Sequence, residues 1–400
     1  MSSSFLKAES ISRALLLIPY LWLAIGIIWM PQGNKPLVAL VLVAAIIHMF
    51  TYGLSQVKYN FKNNIWLCIV LFSGIFTAIS YVTYGASSQE LRGLLVTTVF
   101  LCLLPQKQPL NARLAQYLLF GAALACFTLS CWYFFIDPTN RMFWPTNPIP
   151  LATHQGLVSM LSIGALLTRF KNKITWLLIL SAIISGFSLL LTQSRGAILG
   201  VVILYILIGL TLLYQNRINI KIIILSLILC FGAVFFSKEA LVDRYDQTWG
   251  EVSQIERGDL DSSIGLRLQM YQAGLELFAS SPMLGHGEFT REYAEENLTG
   301  YTPTGYHFIS QAHLHNNYID KLARSGIIGL SIFLFFIFYP VYLGLRKYPD
   351  LFWLFSLPSI HYAVASITDS PFRNGDTLVV YMIVTGTLVH YAKIKYKEKL

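Results

Sequence analysis

Residues 174–214 read ITWLLILSAIISGFSLLLTQSRGAILGVVILYILIGLTLLY, and this stretch consists of two apolar runs joined by a short polar hinge. A helix needs roughly 17–25 residues to cross the hydrocarbon core of a bilayer, so each run is long enough to do so. The two runs, 174–192 and 198–214, have counterparts near 11–30, 37–54, 65–84, 90–104, 117–135, 154–168, 222–237, 326–345, 351–368 and 377–391. The pattern predicts an all-α integral membrane protein with about twelve transmembrane helices.

The charged residues support this interpretation. The chain has 400 residues, of which 12% are charged, whereas an ordinary soluble domain has about 25%. The net charge of +9 does not indicate a nucleic-acid partner, because the basic residues lie in islands between the apolar runs. Lys and Arg concentrate in alternate connections, as at Lys58, Lys62, Arg346 and Lys347. By the positive-inside rule these connections are cytoplasmic, and we expect both termini in the cytoplasm as well.

One polar stretch breaks the regular alternation. Residues 238–325 hold 13 of the 20 acidic residues of the chain, and the stretch is too long for a simple connection. Apolar residues at helical spacing over 265–280 predict an amphipathic helix that Ser281-Pro282 ends. We therefore expect three regions: transmembrane helices 1–9 in 1–237, a large and mainly helical outer loop in 238–325, and helices 10–12 with a basic tail in 326–400.

The loop ends in the first candidate for chemistry, the segment His313-Leu314-His315-Asn316-Asn317-Tyr318. A histidine at the membrane–water boundary can accept a proton from a hydroxyl near neutral pH. The alternative is that His315 only caps or packs the next helix. The His-x-His spacing also suggests a metal, but residues two apart on a helix do not face the same way, and we expect no metal.

Two arginines are candidates for binding an anion. Arg195 lies in the hinge Thr192–Ala197, where an arginine is costly unless it meets an anion, and its planar fork suits phosphate oxygens. Arg267 lies near the start of the predicted loop helix, and a helix N-terminus with a guanidinium makes a good anion site. The alternatives are snorkelling to lipid headgroups for Arg195 and a solvated surface charge for Arg267.

Other charged residues point less clearly to function. In the last outer connection, Asp369, Arg373 and Asp376 either pair with one another or support the site indirectly. Asp259-Leu260-Asp261 has the form of a metal-binding D-x-D, but its polar surroundings favour a solvated loop. No Asp or Glu lies in the middle of a predicted span, which weakens the hypothesis of an ion-coupled transporter.

In order and spacing, these features resemble the O-antigen ligase family. This family belongs to a wider group of bacterial envelope glycosyltransferases that includes O-antigen polymerases and protein O-oligosaccharyltransferases. The features that carry the resemblance are the predicted helices with a large loop before the tenth, Ser-Arg-Gly at 194–196, Gly-x-Arg at 265–267, Pro-x-x-Gly-x-Gly at 282–287, and His-Asn with a later Gly-x-x-Gly at 315–329.

The resemblance implies a GT-C-like membrane fold in the bacterial inner membrane, with the large loop in the periplasm. It further implies a metal-independent, inverting glycosyl transfer without a cofactor. The donor would be O-antigen polysaccharide on undecaprenyl pyrophosphate, and the acceptor a sugar hydroxyl of lipid A–core. His315 would be the general base, while Arg195 and Arg267 would bind the pyrophosphate.

We expect further substrate contacts from His313, Asn316 and Tyr318, and indirect support of the site from Asp369 and Arg373. The partners would be the two glycolipids and membrane lipids, with no nucleic acid. An O-antigen polymerase is the nearest alternative, and the spacing from His-Asn to Gly326 and Gly329 favours the ligase. A transporter or flippase for lipid-linked sugars is the alternative from another class.

Overall fold

A computed structural model describes residues 3–105, 110–138, 144, 146–168, 172–215, 238–310 and 313–397. The first part of the chain forms eight α-helices, which are α1 (Ser3–Ala24), α2 (Asn34–Asn63), α3 (Ile65–Tyr84), α4 (Ser88–Cys102), α5 (Ala112–Cys131), α6 (Pro148–Leu167), α7 (Trp176–Leu191) and α8 (Arg195–Tyr214). The later part forms α9 (Lys238–Glu256), α10 (Ser263–Ser280), α11 (Arg291–Asn297), α12 (Pro303–Ser310), α13 (Asn317–Tyr342), α14 (Phe352–Thr368) and α15 (Gly375–Lys397). The described residues contain no β-strand, and the all-α class is confirmed.

Eight helices in the described part of the chain are long and apolar enough to cross a membrane. They are α2, α3, α5, α6, α8, α13, α14 and α15, each within a predicted apolar run or overlapping one. Two shorter apolar helices match the first and seventh runs, and α4 matches the fourth. The predicted ninth span, 222–237, lies outside the described residues. The protein is therefore a multi-pass membrane protein, and the count of twelve stays a prediction.

The spanning helices differ in how deeply they lie within the protein. Of the apolar windows, 78% of α6 and 72% of α15 are buried, against 22% of α2 and 28% of α8, as expected for helices at the centre and at the lipid-facing rim. Glycine lets the central helices approach closely. A Cβ on Gly164 would lie 2.9 Å from the backbone oxygen of Trp353, and one on Gly156 would lie 2.2 Å from the His361 ring. The backbones of α6 and α14 thus pack tightly.

The polar stretch forms a helical unit with its own apolar core. The predicted helix over 265–280 is confirmed as α10. Its N-cap is Ser262, whose side chain accepts a hydrogen bond from the Gly265 N–H at 3.2 Å. Leu266, Met270, Ala273 and Leu277, the residues at helical spacing, are all buried. Met270, Ala273 and Leu277 pack with apolar residues of α11, α12 and α13. This packing fixes α10 against the start of a membrane helix.

Helix α13 begins at Asn317, ahead of the predicted apolar run 326–345, and it breaks at Gly326 (φ 61°, ψ −161°). The break leaves backbone groups of α13 without partners in the helix, and the turn over 282–287 forms hydrogen bonds with these groups. The N–H groups of His286 and Gly287 donate to the carbonyls of Ala323 and Arg324, both at 2.9 Å. Ile327 N–H donates to Pro282 O at 2.9 Å. The glycine-rich turn thus docks the loop onto the interrupted helix.

Candidate active site

Arg195 is the first residue of α8, directly after its N-cap Ser194. The hinge that precedes it is short, and Gln193 there adopts a positive φ of 53°. Gly196 lies against the end of α14, because a Cβ at this position would lie 2.0 Å from Thr368 Oγ1. A residue with a side chain would push the two helix ends apart. The Ser-Arg-Gly sequence thus seats Arg195 beside the C-terminus of α14, with 37% of its side chain exposed.

Glu251 of α9 connects the two predicted anion-binding arginines. Its Oε1 lies 3.5 Å from Arg195 Nη2, and its Oε2 accepts a hydrogen bond from the Ile264 N–H in the first turn of α10 at 2.9 Å. Arg267 lies one turn further along α10. The contacts of one carboxylate therefore hold the start of α10 beside the start of α8.

Arg195 and Arg267 line the same open cleft of about 580 Å³, together with Ser194, Ser263, Glu251 and Thr368. Two guanidinium groups face one carboxylate there, so the side-chain charge is positive. The N-termini of α8 and α10 add the partial positive charge of their helix dipoles. Such a cleft suits an anion with several oxygens, such as a phosphate or a pyrophosphate.

His315 lies in the short segment before α13. Its backbone has a φ of 51°, a left-handed conformation that costs a non-glycine residue of order 1–3 kcal/mol. Asn316 follows as the N-cap of α13 and accepts from the N–H groups of Tyr318 and Ile319. Tyr271 of α10 donates from its hydroxyl to the His315 carbonyl at 3.1 Å. The strained conformation of His315 is thus held from both sides.

Asp369, the C-cap of α14, contacts both histidines of the His-x-His segment. Its Oδ1 lies 3.2 Å from His313 Nε2 and 3.4 Å from His315 Nδ1. Burial acts to raise the pKa of Asp369, but the two histidines outweigh it, and the pKa lies well below its usual value. The backbone around Asp369 is fixed too, because the Asn317 N–H donates to its carbonyl at 3.1 Å.

An ionised carboxylate beside Nδ1 of His315 favours a proton on that nitrogen. The other ring nitrogen, Nε2, then has its lone pair available to accept a proton. A buried carboxylate close to an imidazole is one means of orienting a general base. Asp369, which the sequence suggested as an indirect support of the site, thus contacts both histidines.

The arginine cleft and the histidine pair adjoin through two connections. Thr368 lines the cleft, and the next residue, Asp369, contacts the histidines. Along α10, Tyr271 follows Arg267 by one turn, and its hydroxyl interacts electrostatically with both Arg267 and Asp369. Burial raises the pKa of Tyr271, the charge of Arg267 lowers it and the charge of Asp369 raises it, with a net increase. The arginine cleft and the histidine pair therefore lie next to each other.

Three other predicted site residues have structural contacts. Asn316 caps α13 with its side-chain oxygen. Tyr318 donates to Ala363 O at 3.0 Å, and its ring packs edge-on against Phe333. Arg373 is buried and contacts Glu288, and its guanidinium lies 3.9 Å from Asp320. Burial acts to lower the pKa of Arg373, but the charges of Asp320 and Glu288 outweigh this effect, and the pKa lies above its usual value.

The expectation that His313 and His315 diverge is wrong, because it rested on helical geometry. Both residues precede α13, in an irregular segment, and their ring centroids lie 4.3 Å apart. One ligand atom from each of His313, His315 and Asp369 lies within 4.8 Å of the others, so the three residues are able to hold a metal ion.

Sequence reasoning missed three residues that organise the site. Tyr271 was detectable, because it follows Arg267 by four residues on a predicted helix and such residues share a face. Glu251 and Glu288 gave no comparable signal. Each pairs with a residue far away in the sequence, Glu251 with Arg195 and Glu288 with Arg324 and Arg373.

Comparisons with known proteins agree with the motifs. A family model described as O-antigen ligase matches residues 180–334, which include both arginines and both histidines of the site. The chain is 22% identical over 314 residues to the O-antigen ligase of Escherichia coli K12, which covers 73% of either protein. It is 26% identical over 168 residues to an uncharacterized protein of Haemophilus influenzae Rd, which covers 39% of this chain and 40% of that protein.

Proposed function

Because these matches support the O-antigen ligase family for this chain, we propose that it is itself an O-antigen ligase. It transfers O-antigen polysaccharide from undecaprenyl pyrophosphate to a sugar hydroxyl of lipid A–core and so completes lipopolysaccharide. The reaction takes place at the periplasmic face of the bacterial inner membrane. Its partners are the two glycolipids and the surrounding lipids, and it uses no nucleic acid.

One observation carries this proposal: Arg195 and Arg267 line one cleft although they lie far apart in the sequence. In the transfer, the bond between the sugar's anomeric carbon and the pyrophosphate oxygen breaks, and negative charge grows on the departing diphosphate. Two guanidinium groups and two helix N-termini aimed at that charge stabilise the transition state. The leaving group needs cations but no nucleophile from the protein.

The histidine segment supplies the second half of the reaction. An acceptor hydroxyl is a weak nucleophile, so a base is expected to contribute about 10²–10⁴-fold to the rate. In our proposal His315 accepts the hydroxyl proton at Nε2, while Asp369 orients the ring through Nδ1. The hydroxyl oxygen attacks the anomeric carbon from the side opposite the pyrophosphate, and the configuration of the donor sugar inverts.

The position of the cleft fits substrates that are both anchored in lipid. Arg195 starts a helix long and apolar enough to span a membrane, and Arg267 belongs to the helical unit over 238–310. A site between them lies at the boundary of bilayer and water. In our proposal the basic residues of alternate connections keep both termini cytoplasmic and this unit periplasmic.

The general base is tested by joining purified lipid-linked O-antigen to lipid A–core in proteoliposomes. We expect His315→Ala to lower the transfer rate by at least about 10²-fold without loss of membrane insertion. His315→Gly accepts the positive φ at no steric cost, so it separates loss of the imidazole from backbone strain. Both variants should be inactive, and added imidazole should partly restore His315→Gly.

The matched control is His307→Ala, which removes an exposed histidine of α12 and should leave transfer unchanged. Full transfer by either His315 variant would show that His315 is not the base. The same vesicles separate enzyme from transporter, since a flippase moves the donor between leaflets without joining it to the acceptor. In cells lacking the gene, a single repeat on the core would indicate a polymerase, whereas a core without O-antigen indicates the ligase.

A further inference from the structure

We propose that His313, His315 and Asp369 form a transition-metal site that binds Zn²⁺, and that the filled site blocks glycosyl transfer. The donor set consists of two imidazole nitrogens and one carboxylate oxygen. Two histidines with one carboxylate, and an open position for water, is a ligand set that zinc and other transition metals accept in proteins.

The spacing of the ligand atoms fits a zinc ion. Zinc bonds to nitrogen and oxygen are about 2.0–2.2 Å long, so neighbouring ligands of a tetrahedral site lie about 3.3–3.6 Å apart. Asp369 Oδ1 lies 3.2 Å from His313 Nε2 and 3.4 Å from His315 Nδ1. All three ligand atoms lie within 4.8 Å of one another. For both histidine nitrogens to bind one ion, the two rings must turn toward a common point.

Two of the three ligands are held in place, and both histidines are accessible. Asp369 is buried, and its main chain is fixed by the hydrogen bond from Asn317. The backbone of His315 is fixed by Tyr271. His313 and His315 keep 30% and 24% of their side chains exposed, so an ion can enter from solvent. A site whose ligands are preorganised loses little conformational entropy when the metal binds.

A bound metal would remove the base of the proposed reaction. With the ion on Nδ1 of His315, the neutral ring carries its proton on Nε2, and Nε2 no longer has a lone pair for the acceptor hydroxyl. The ion also draws Asp369 away from its role as orienting carboxylate. This consequence rests on the proposed function, whereas metal binding itself does not.

Binding is tested on the full-length protein in detergent, purified through a tag without histidines. Zn²⁺ is titrated in competition with a chromophoric chelator, and Co²⁺ is added to record the visible absorption of the bound ion. We expect one Zn²⁺ per chain. Since even the outer partners of metal ligands contribute about 10–100-fold to affinity, His313→Ala and Asp369→Asn should weaken binding by at least about tenfold.

The matched control is again His307→Ala, which should bind Zn²⁺ like the unmodified protein. His313 is partly exposed, so its variant keeps the test valid even where Asp369→Asn fails to fold. Equal Zn²⁺ affinity in His313→Ala and the unmodified protein would overturn the site. A loss of Zn²⁺ affinity in His307→Ala as large as that in His313→Ala would overturn the site as well.

The second arm measures transfer in proteoliposomes with and without Zn²⁺. We expect Zn²⁺ to inhibit with the same concentration dependence as binding, and a chelator to restore the rate. Binding at the three residues with undiminished transfer would overturn the inhibitory role. A protein that binds Zn²⁺ but never joins donor to acceptor would count against the proposed function alone.

Discussion

At the scale of single residues, the conformation of His315 depends on contacts with residues that are distant in the sequence. Its positive φ stores strain that persists only because the surroundings hold it. Asp369 and Tyr271 supply those contacts, from α14 and α10. The sequence motif thus singles out the residue that we propose as the base, and the structure shows which side chains contact it.

Tyr271→Phe tests this positioning. The variant removes the hydroxyl that donates to the His315 carbonyl, a hydrogen bond worth about 0.5–1.5 kcal/mol. Because the bond orients the base without binding either substrate, we expect kcat to fall about 2–10-fold with both KM values unchanged. The measurement is the initial rate of transfer over a range of donor and acceptor concentrations.

Tyr306→Phe is the matched control for this prediction. It removes a similar bond in the same helical unit, from the Tyr306 hydroxyl to Leu298 O at 2.9 Å, away from the histidines. Its kcat should stay that of the unmodified protein. Equal effects of the two variants would reduce Tyr271 to a general stabilising role.

At the scale of elements, the break in α13 explains why glycines occur both in the turn over 282–287 and at position 326. The turn over 282–287 contains Gly285 and Gly287, both with positive φ, and the helix contains Gly326. A Cβ on Gly326 would lie 2.3 Å from the Met283 carbonyl. The glycines are needed because two backbones meet there and exchange hydrogen bonds.

Gly326→Ala tests this docking. Alanine at φ 61° and ψ −161° is strained by of order 1–3 kcal/mol, and its Cβ pushes against the turn. We expect a lower midpoint of thermal unfolding in detergent and faster proteolysis of the unit over 238–310. Gly209→Ala in α8 is the control, because no atom lies within 4 Å of its Cβ and alanine favours a helix. A Gly326→Ala protein as stable as this control would contradict the proposed docking.

The helices show which elements periodicity alone can predict. The pattern over 265–280 predicts α10 and its buried face correctly, because an amphipathic helix has a period that burial reproduces. The apolar run begins only at 326, whereas α13 begins at Asn317, because the first turns of the helix are polar. Those turns are stabilised by buried ion pairs such as Asp320 with Arg324, at 3.1 Å, which apolar periodicity does not register.

At the scale of the whole molecule, a charge network joins the helical unit to the membrane helices. Glu288 follows the glycine turn and contacts Arg324 of α13, at 2.9 Å, and Arg373 of the last connection. Both arginines are buried. Asp320 lies against the same two guanidinium groups. One carboxylate from the loop thus helps to neutralise two cations of the membrane domain.

Glu288→Gln tests this junction. The amide keeps the shape but removes a negative charge beside two buried arginines, and hydrogen bonds to charged groups are worth about 1.5–3 kcal/mol. We expect the unfolding midpoint to fall and the unit over 238–310 to become more sensitive to protease. Glu295→Gln is the control, since Glu295 pairs with Arg291 on an exposed helix face, where such a pair contributes about 0.3–0.5 kcal/mol. Equal unfolding midpoints of the two variants would contradict this role of Glu288.

The sequence by itself determined the membrane class, the all-α fold and the motifs that carry the family resemblance. These properties depend on local composition and periodicity, which each segment carries independently of its neighbours. It also singled out Arg195 as a costly cation in a short hinge between spans, Arg267 as a guanidinium at a helix start, and His313 and His315 as histidines at the membrane–water boundary.

Only the tertiary structure decided how those residues combine. In the folded chain, Arg195 and Arg267 line one cleft. Asp369 contacts both histidines, and Arg373 pairs with Glu288. The physical reason is that each of these contacts joins helices distant in the chain. Their meeting depends on glycine contacts and helix packing that no single segment encodes.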